Sequence, residues 1–343
     1  MPRPYFSVIL PTKNRAGLIS YAISSLLNQE FEDWELILVD NDDSTATAEY
    51  YYSGLLRFLD NRFRYVRTGG LPMADNWEAG LARVRGDYVY VLEDKAVLWP
   101  WMLRSVRQTI EEHGADCIIF DAAFQAPPER IDPRRADRLP VLHFPPPGSG
   151  MRKTPLSSRS VIEAFARQGW PVLAAHAPRS INSVCSKTLI DKIRSKAANR
   201  FYHQLQCDVT AGLLMLDLEE QIVKIESPLV TFGYHPTTSA GALGKTGLDK
   251  AFGGMHDLSV DGLELLEAMP LGHMAVLHNF CFCDLKSMQR YAQYNLKEVK
   301  VRADDYFTLV LGDLDELQQN GVDVSTLRQG LLRVRTDYRE QFI

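Results

Sequence analysis

Over the first 120 residues, short apolar runs alternate with amphipathic stretches, which predicts strands and helices in strict succession. Strands are expected at residues 6–11, 35–40, 63–66, 88–92 and 117–120, and helices at 18–28, 45–59, 74–83 and 101–113. Repeated strand-helix units build a parallel sheet covered by helices. In such a sheet the ligand crevice lies beyond the carboxyl ends of the strands. The residues to examine first are therefore Pro11-Thr12, Asp40-Asn41 and Glu93-Asp94-Lys95.

The pattern then changes. Residues 126–155 carry Pro127-Pro128, Pro133, Pro140, Pro145-Pro146-Pro147 and Gly148-Ser149-Gly150, which predicts a long loop of the kind that joins two halves of a domain or serves binding. Helical patterns follow at 160–168 and 187–197, then a mixed region to Gly233 and a Gly- and Thr-rich segment at 236–247 with the composition of a mobile linker. From Leu258 onward the pattern is almost wholly helical. Three units are expected, 1–125, 126–250 and 251–343, with no internal repeat. The apolar spacings Leu263-Leu265-Leu266, Met274-Leu277 and Leu309-Leu311-Leu314-Leu317 give the last unit faces for packing on the rest of the chain or for pairing two subunits. A homodimer through these helices is the favoured reading.

Composition narrows the function classes. A chain of 343 residues, 45% hydrophobic and 24% charged, can bury a sizeable core in two or three units. The net charge of −5 and pI near 5.9 give no electrostatic footprint for nucleic acid, which needs clustered Lys and Arg. The start, MPRPYFSVIL, lacks the features of a secretory signal, and no window approaches the roughly 20 apolar residues of a membrane span. A cytoplasmic protein, with peripheral membrane contact left open, is expected. Cys117, Cys185, Cys207, Cys281 and Cys283 are odd in number and scattered, against a disulfide framework. Cys281 and Cys283 have no second ligand pair at zinc-like spacing and are read as ordinary helix residues.

Five blocks carry more specific information. They are Pro11-Thr12-Lys13-Asn14-Arg15 after an apolar run, Val39-Asp40-Asn41-Asp42-Asp43-Ser44-Thr45, Met73 to Leu81 around Asn76-Trp77, Gly86-Asp87-Tyr88-Val89, and Val91-Leu92-Glu93-Asp94-Lys95 followed by Pro100. In order and spacing they resemble the family-2 glycosyltransferases of the GT-A fold, inverting enzymes that use nucleotide-sugars. The resemblance is close over the first 100 residues, thin over the next 150, and does not reach the C-terminal unit. It implies an α/β, GT-A-like architecture with a mixed, mainly parallel sheet flanked by helices, here followed by a helical unit.

By resemblance, Asp40 reads the nucleobase, with Pro11 and Thr12 lining the same pocket and Asn14, Arg15, Asn76, Glu93 and Asp94 around the donor. A carboxylate at a strand tip suits that role through charge-assisted hydrogen bonds. Turn formation or helix capping is the alternative for Asp40, and a helix start for Asp75. Trp77 is read as core packing. In the family, the last carboxylate of the acidic motif holds a divalent cation, Mn2+ or Mg2+, on the donor diphosphate. Lys95 aligns there instead; an ammonium cannot ligate a metal but can neutralise a diphosphate oxygen. Metal dependence is thereby put in doubt, with Glu93 and Asp94 the ligands if the register is shifted by one.

Inverting transfer needs a general base. The family places an Asp at a helix start before a strand-like segment, and Asp208 in Gln206-Cys207-Asp208-Val209 matches that position. His203 is its nearest rival, since imidazole titrates near neutrality. His235 and Lys245 lie in a stretch that could close on the diphosphate, and His176, Arg179 and Asn182 form a polar cluster upstream. The implied partners are a nucleotide-sugar, a UDP-sugar by preference, and a glycan, lipid-linked or small-molecule acceptor; forming part of an acceptor platform is a third option for the C-terminal helices, beside packing on the chain and pairing two subunits. Two other classes compete: a non-catalytic nucleotide-sugar-binding scaffold, motivated by Lys95, and a nucleotidyltransferase, which lacks support because no Gly-rich, basic phosphate loop follows the first strand.

Overall fold

The computed structural model describes residues 3–53, 60–124, 151–203, 206–233, 269–272, 276–319 and 321–335, with the single residues 267 and 274. Strands β1 (Phe6–Thr12) and β2 (Trp34–Asp40) are buried at every position. Chains this apolar must lie inside a sheet covered on both faces. β1 accordingly pairs in parallel with β2 on one side and with β4 (Tyr88–Val91) on the other, and β3 (Phe63–Arg67) adds in parallel to β2. Helices α1 (Ala16–Leu27), α2 (Ala46–Ser53) and α3 (Met73–Leu81) lie in the connections between these strands, and α4 (Met102–His113) follows them. Ile9 and Val39 lie so close to α3 that a methyl group on Gly80 would stand 2.6 and 2.8 Å from their side chains.

The sheet is mixed, as the GT-A pattern implies, and besides the strand expected at 117–120 it holds strands the apolar periodicity does not announce. β5 (Ala96–Leu98), β6 (Cys117–Phe124), β7 (Lys153–Ser157), β8 (Ser183–Ser186) and β9 (Gln221–Phe232) complete the order β3-β2-β1-β4-β8-β6-β9-β5, with β7 also on β9. β8 runs antiparallel to both β4 and β6, while β6 and β9 are parallel. β5 and β7 both lie antiparallel to β9, against its last and first residues respectively. The expected loop at 126–155 therefore ends earlier than its composition suggests, because residues 153–155 already belong to β7. Pro155 is tolerated there, at the edge of the sheet. Residues 126–150 and the Gly- and Thr-rich 236–247 lie outside the described residues.

α5 (Ser158–Gln168), α6 (Trp170–His176), α7 (Lys187–Lys196) and α8 (Cys207–Leu218) cover the second half of the sheet. Among the described residues the helical C-terminal pattern resolves into α9 (Leu277–Met288), α10 (Ala303–Gln319) and α11 (Ser325–Arg335), while Leu263-Leu265-Leu266 lies outside them. α9 is buried along nearly its whole length, Cys281 and Cys283 included, and both are free thiols. Phe282 stacks on Phe165 of α5 with ring centroids 5.3 Å apart. The Trp170 amide donates to His278 Nε2 at 3.0 Å, which leaves Nδ1 to donate to Asp313 Oδ1 at 2.6 Å. One buried hydrophobic cluster thus runs from β1 through the sheet to α10. Among the described residues no helix is long and apolar enough to cross a membrane.

The α5–α6 junction is fixed by Gly169, at φ 69° and ψ −143°, a region essentially closed to residues with a side chain. A methyl group there would also stand 2.3 Å from the His278 ring. Gly169→Ala is therefore expected to cost about 2–4 kcal/mol, from strain plus overpacking. Gly114→Ala, at φ 61° in open space, should cost only about 1 kcal/mol. Urea denaturation of both variants checks the difference; equal midpoints would remove the His278 contact from the explanation.

Candidate active site at the carboxyl edge of the sheet

Parallel pairing brings the strand ends together. Thr12 and Asp40 are register partners at the ends of β1 and β2. The Leu92 amide donates to Ile9 O at 2.8 Å, so Glu93, Asp94 and Lys95 emerge beside them. The antiparallel direction of β8 makes its entrance, residues 178–182, arrive at this same edge, where the Val91 amide donates to Ser180 O at 3.3 Å. α8 packs directly on that entrance: a methyl group on Gly212 would stand 2.9 Å from Pro178 O. Asp208, in the first turn of α8, consequently faces Arg179, with Nη1 3.6 Å from Oδ2.

Carboxylates and cations alternate across this edge. Asp94 is buried and accepts hydrogen bonds from Thr12 Oγ1 at 3.0 Å and from Arg15 Nη1 at 3.2 Å. Lys95 Nζ lies 3.6 Å from Glu93 Oε2, both side chains being partly covered. Burial pushes the Glu93 carboxyl above its usual range; Lys95 draws it down, while Asp94 and Asp208 push it up further. Arg179 is 6% exposed, its guanidinium lies over the Trp170 ring at 5.0 Å, and its Nε has no partner among the described residues. Lys95 O accepts from the Gly233 amide at 2.8 Å, which ties the end of β9 to the acidic triplet. No group of three or more His, Cys, Asp or Glu among the described residues is arranged to hold a metal ion.

The Asp40 carboxylate is not at an open tip. It is fully buried, accepting from Tyr65 Oη at 2.5 Å, the Asp42 amide at 2.9 Å and Arg67 Nη1 at 3.3 Å. Tyr65 and Arg67 come from the end of β3, and Arg67 also donates to Ser44 O at 2.8 Å. Burial and the Asp40 charge push the Tyr65 phenol up. Asn14, at φ 57°, is clamped to the second acidic turn: its Nδ2 donates to Asp43 at 2.7 Å and its Oδ1 accepts the Asp43 amide at 3.0 Å. Asn76 is buried and accepts from Thr68 Oγ1 at 2.7 Å. Pro11 continues β1, and Trp77 is core, edge-on to Tyr202.

His203 packs against the Tyr291 ring at 5.0 Å, and its buried Nε2 has no partner among the described residues. Burial, with a smaller contribution from Arg200, lowers its pKa to about 4. It is thus neutral near pH 7 and a weak base. Of the upstream cluster, Arg179 joins the site; Asn182 donates to Ala177 O at 3.4 Å, and burial lowers the His176 pKa. His235 and Lys245 lie outside the described residues. Residue patterns alone did not find the pairing of Asp40 with Tyr65 and Arg67, although Arg67 lies at a strand end where the crevice rule directs attention.

Residues 7–162 match the family model described as Glycosyl transferase family 2. Over 122 residues the chain is 32% identical to a GalNAc(5)-diNAcBac-PP-undecaprenol beta-1,3-glucosyltransferase of Campylobacter jejuni, covering 34% of this chain and 39% of that protein. Over 119 residues it is 32% identical to the poly(ribitol-phosphate) beta-N-acetylglucosaminyltransferase TarP of Staphylococcus aureus, covering 33% and 35%. The chain thus spans well under half the length of these curated relatives. Among solved structures, TarS residues 1–349 of S. aureus in complex with UDP-GlcNAc superposes with a TM-score of 0.51 at 14% identity, covering 96% of this chain and 87% of that one. A second TarS crystal structure gives a TM-score of 0.53 at 14% identity, with 97% and 55% covered. The fold is the GT-A type.

Two outcomes follow from the geometry. Asp40→Ala strands the Tyr65 hydroxyl and the Asp42 amide, and should destabilise the chain by roughly 1–3 kcal/mol. Asp40→Asn should recover part of that loss in thermal melts, and an unshifted melt for the Ala variant would show the carboxylate to be dispensable to the fold. For His203 the folded pKa lies below the unfolded value, so its contribution is present above about pH 6.5 and is lost as pH falls toward 4. That loss is on the order of 3 kcal/mol. A His203→Phe variant should flatten the stability profile across this window, as read by denaturation at stepped pH.

Proposed function

From the premise that residues 7–162 are a glycosyl transferase family 2 domain, we propose that the chain moves a sugar from a nucleotide diphosphate donor, a UDP-sugar, to an acceptor hydroxyl with inversion. The acceptor is a glycan, a lipid-linked glycan or a small molecule. In one displacement, the acceptor oxygen bonds to the anomeric carbon as the carbon–oxygen bond to the diphosphate breaks, and Asp208 takes the acceptor proton. The observation that supports this best is the Asp208–Arg179 pair standing at the same sheet edge as Glu93, Asp94 and Lys95. Arg179 orients the carboxylate, and the first turn of α8 favours a negative charge there. His203 is the poorer base because burial keeps it neutral and hard to protonate.

Asp40, bound to Tyr65 and Arg67, acts by fixing the strand ends and the acidic turn that frame the base, while Thr12, Arg15 and Asp94 form one connected group beside the diphosphate. A divalent cation does not fit the residues present. Lys95 stands at the aligned ligand position, Asp94 is engaged by Thr12 and Arg15, and Glu93 faces Lys95. Lys95 would instead offset the charge that grows on the leaving diphosphate.

Asp208→Asn should lower turnover about 10²- to 10⁴-fold with nucleotide affinity retained, measured with radiolabelled UDP-sugars and by calorimetry. Near-normal turnover would take the base elsewhere. Activity should survive excess EDTA, gain little from Mn2+, and fall in Lys95→Ala far more than donor affinity does. Complete loss in EDTA, restored by Mn2+, would refute the metal-independent reading.

A further inference from the structure

The stretch that leaves α9 carries a concentration of positive charge in an otherwise acidic chain. Residues 286–302 hold Lys286, Arg290, Lys297, Lys300 and Arg302 against one carboxylate, Glu298, while the whole chain has a net charge of −5. All five cations are exposed. Among the described residues no carboxylate forms an ion pair with Lys286, Arg290, Lys297 or Arg302. In their midst Tyr294 is 69% exposed.

This surface is built rather than slack. The Asp217 carboxylate, at the end of α8, accepts the amides of Gln293, Tyr294 and Leu296 at 2.6, 3.1 and 2.9 Å. Asn295 Nδ2 donates to Leu216 O at 2.8 Å and Glu219 O at 3.2 Å, and Gln289 Nε2 donates to Leu296 O at 3.1 Å and Val299 O at 2.6 Å. Leu296 and Val301 are buried beneath it as anchors. The turn is thereby held at the C-terminal end of α8, and the cations stand outward on long stems.

We propose that this turn is a docking surface for an anionic lipid bilayer. Exposed cations on flexible stems suit a diffuse negative surface, and a tyrosine among them suits the headgroup layer, where aromatic rings with a polar end concentrate. A soluble polyanion would be drawn by the same charge but gives no reason for the exposed ring. The proposal holds whether or not the chain transfers sugar. If it does, α8 connects the two surfaces: a helix of 12 residues is about 18 Å long, so Asp208 at its other end would work close above the headgroups.

The test is co-sedimentation of the full chain with vesicles of phosphatidylglycerol in phosphatidylcholine, against phosphatidylcholine alone. Binding is expected only to the anionic vesicles and should be lost in high salt. Each cation near such a surface raises affinity about fivefold, so Lys286→Gln/Arg290→Gln/Lys297→Gln should bind about 100-fold more weakly. The variant should keep the parent's melting temperature and nucleotide affinity, and Tyr294→Ala should weaken binding at unchanged charge. No binding to anionic vesicles, or equal binding by the triple variant, overturns the proposal. So does capture of soluble polyphosphate through these residues without any binding to vesicles.

Discussion

The meeting of Asp208 and Arg179 with the acidic triplet at the carboxyl edge depends on one reversal of chain direction. Parallel strands deliver their carboxyl ends to one side of a sheet, and a purely parallel sheet would build its crevice from those ends alone. Here β8 enters antiparallel between β4 and β6, so the segment leading into it reaches the edge from which β4 departs. Arg179 arrives by that route, and the absence of a side chain at Gly212 lets α8 settle against Pro178 with Asp208 facing the guanidinium. Were β8 parallel, its entrance would lie at the opposite edge, away from Glu93 and Asp94.

The charges at this edge make sense as a set. A buried carboxylate costs free energy unless cations or donors meet it, and a cluster of three would repel itself. Arg15, Lys95 and Arg179 are distributed so that Asp94, Glu93 and Asp208 each have one nearby. Glu93 still titrates high, since burial and two like charges outweigh its cations. At the opposite edge, Glu35 shows the other balance. Burial pushes it up, but hydrogen bonds from Ser7 and Arg85 more than offset that and hold it below its usual range.

The central strands were legible because burial on both faces writes an unbroken apolar run, as in β1 and β2. β8 reads Ser-Val-Cys-Ser and β5 has three residues, too short for any period to show. β7, with Lys153 and Pro155, carries the composition of a loop because it is an edge strand. The helix start at Asp208 was visible from its place in the chain, but its partner was not, since the pairing depends on the direction of β8. The burial of the Asp40 carboxylate is hidden for a smaller reason. The apolar run predicts a third strand ending at Val66, and the strand runs one residue further to Arg67, which with Tyr65 closes over the carboxylate.

One contact across the molecule sets an order of events in the life of the chain. The amide of Gln206, just ahead of the helix that presents Asp208, donates to Asp284 Oδ2 at 3.2 Å, and Cys281 Sγ reaches Gln206 Oε1 at 3.4 Å. The approach to that helix is therefore finished by residues made 75 and 78 positions later. On the ribosome, every strand of the sheet is synthesised by Phe232, before α9 begins at Leu277. Asp208 acquires its final support only when the following helices have emerged and docked, so a nascent chain carries a framed crevice before it carries a completed one.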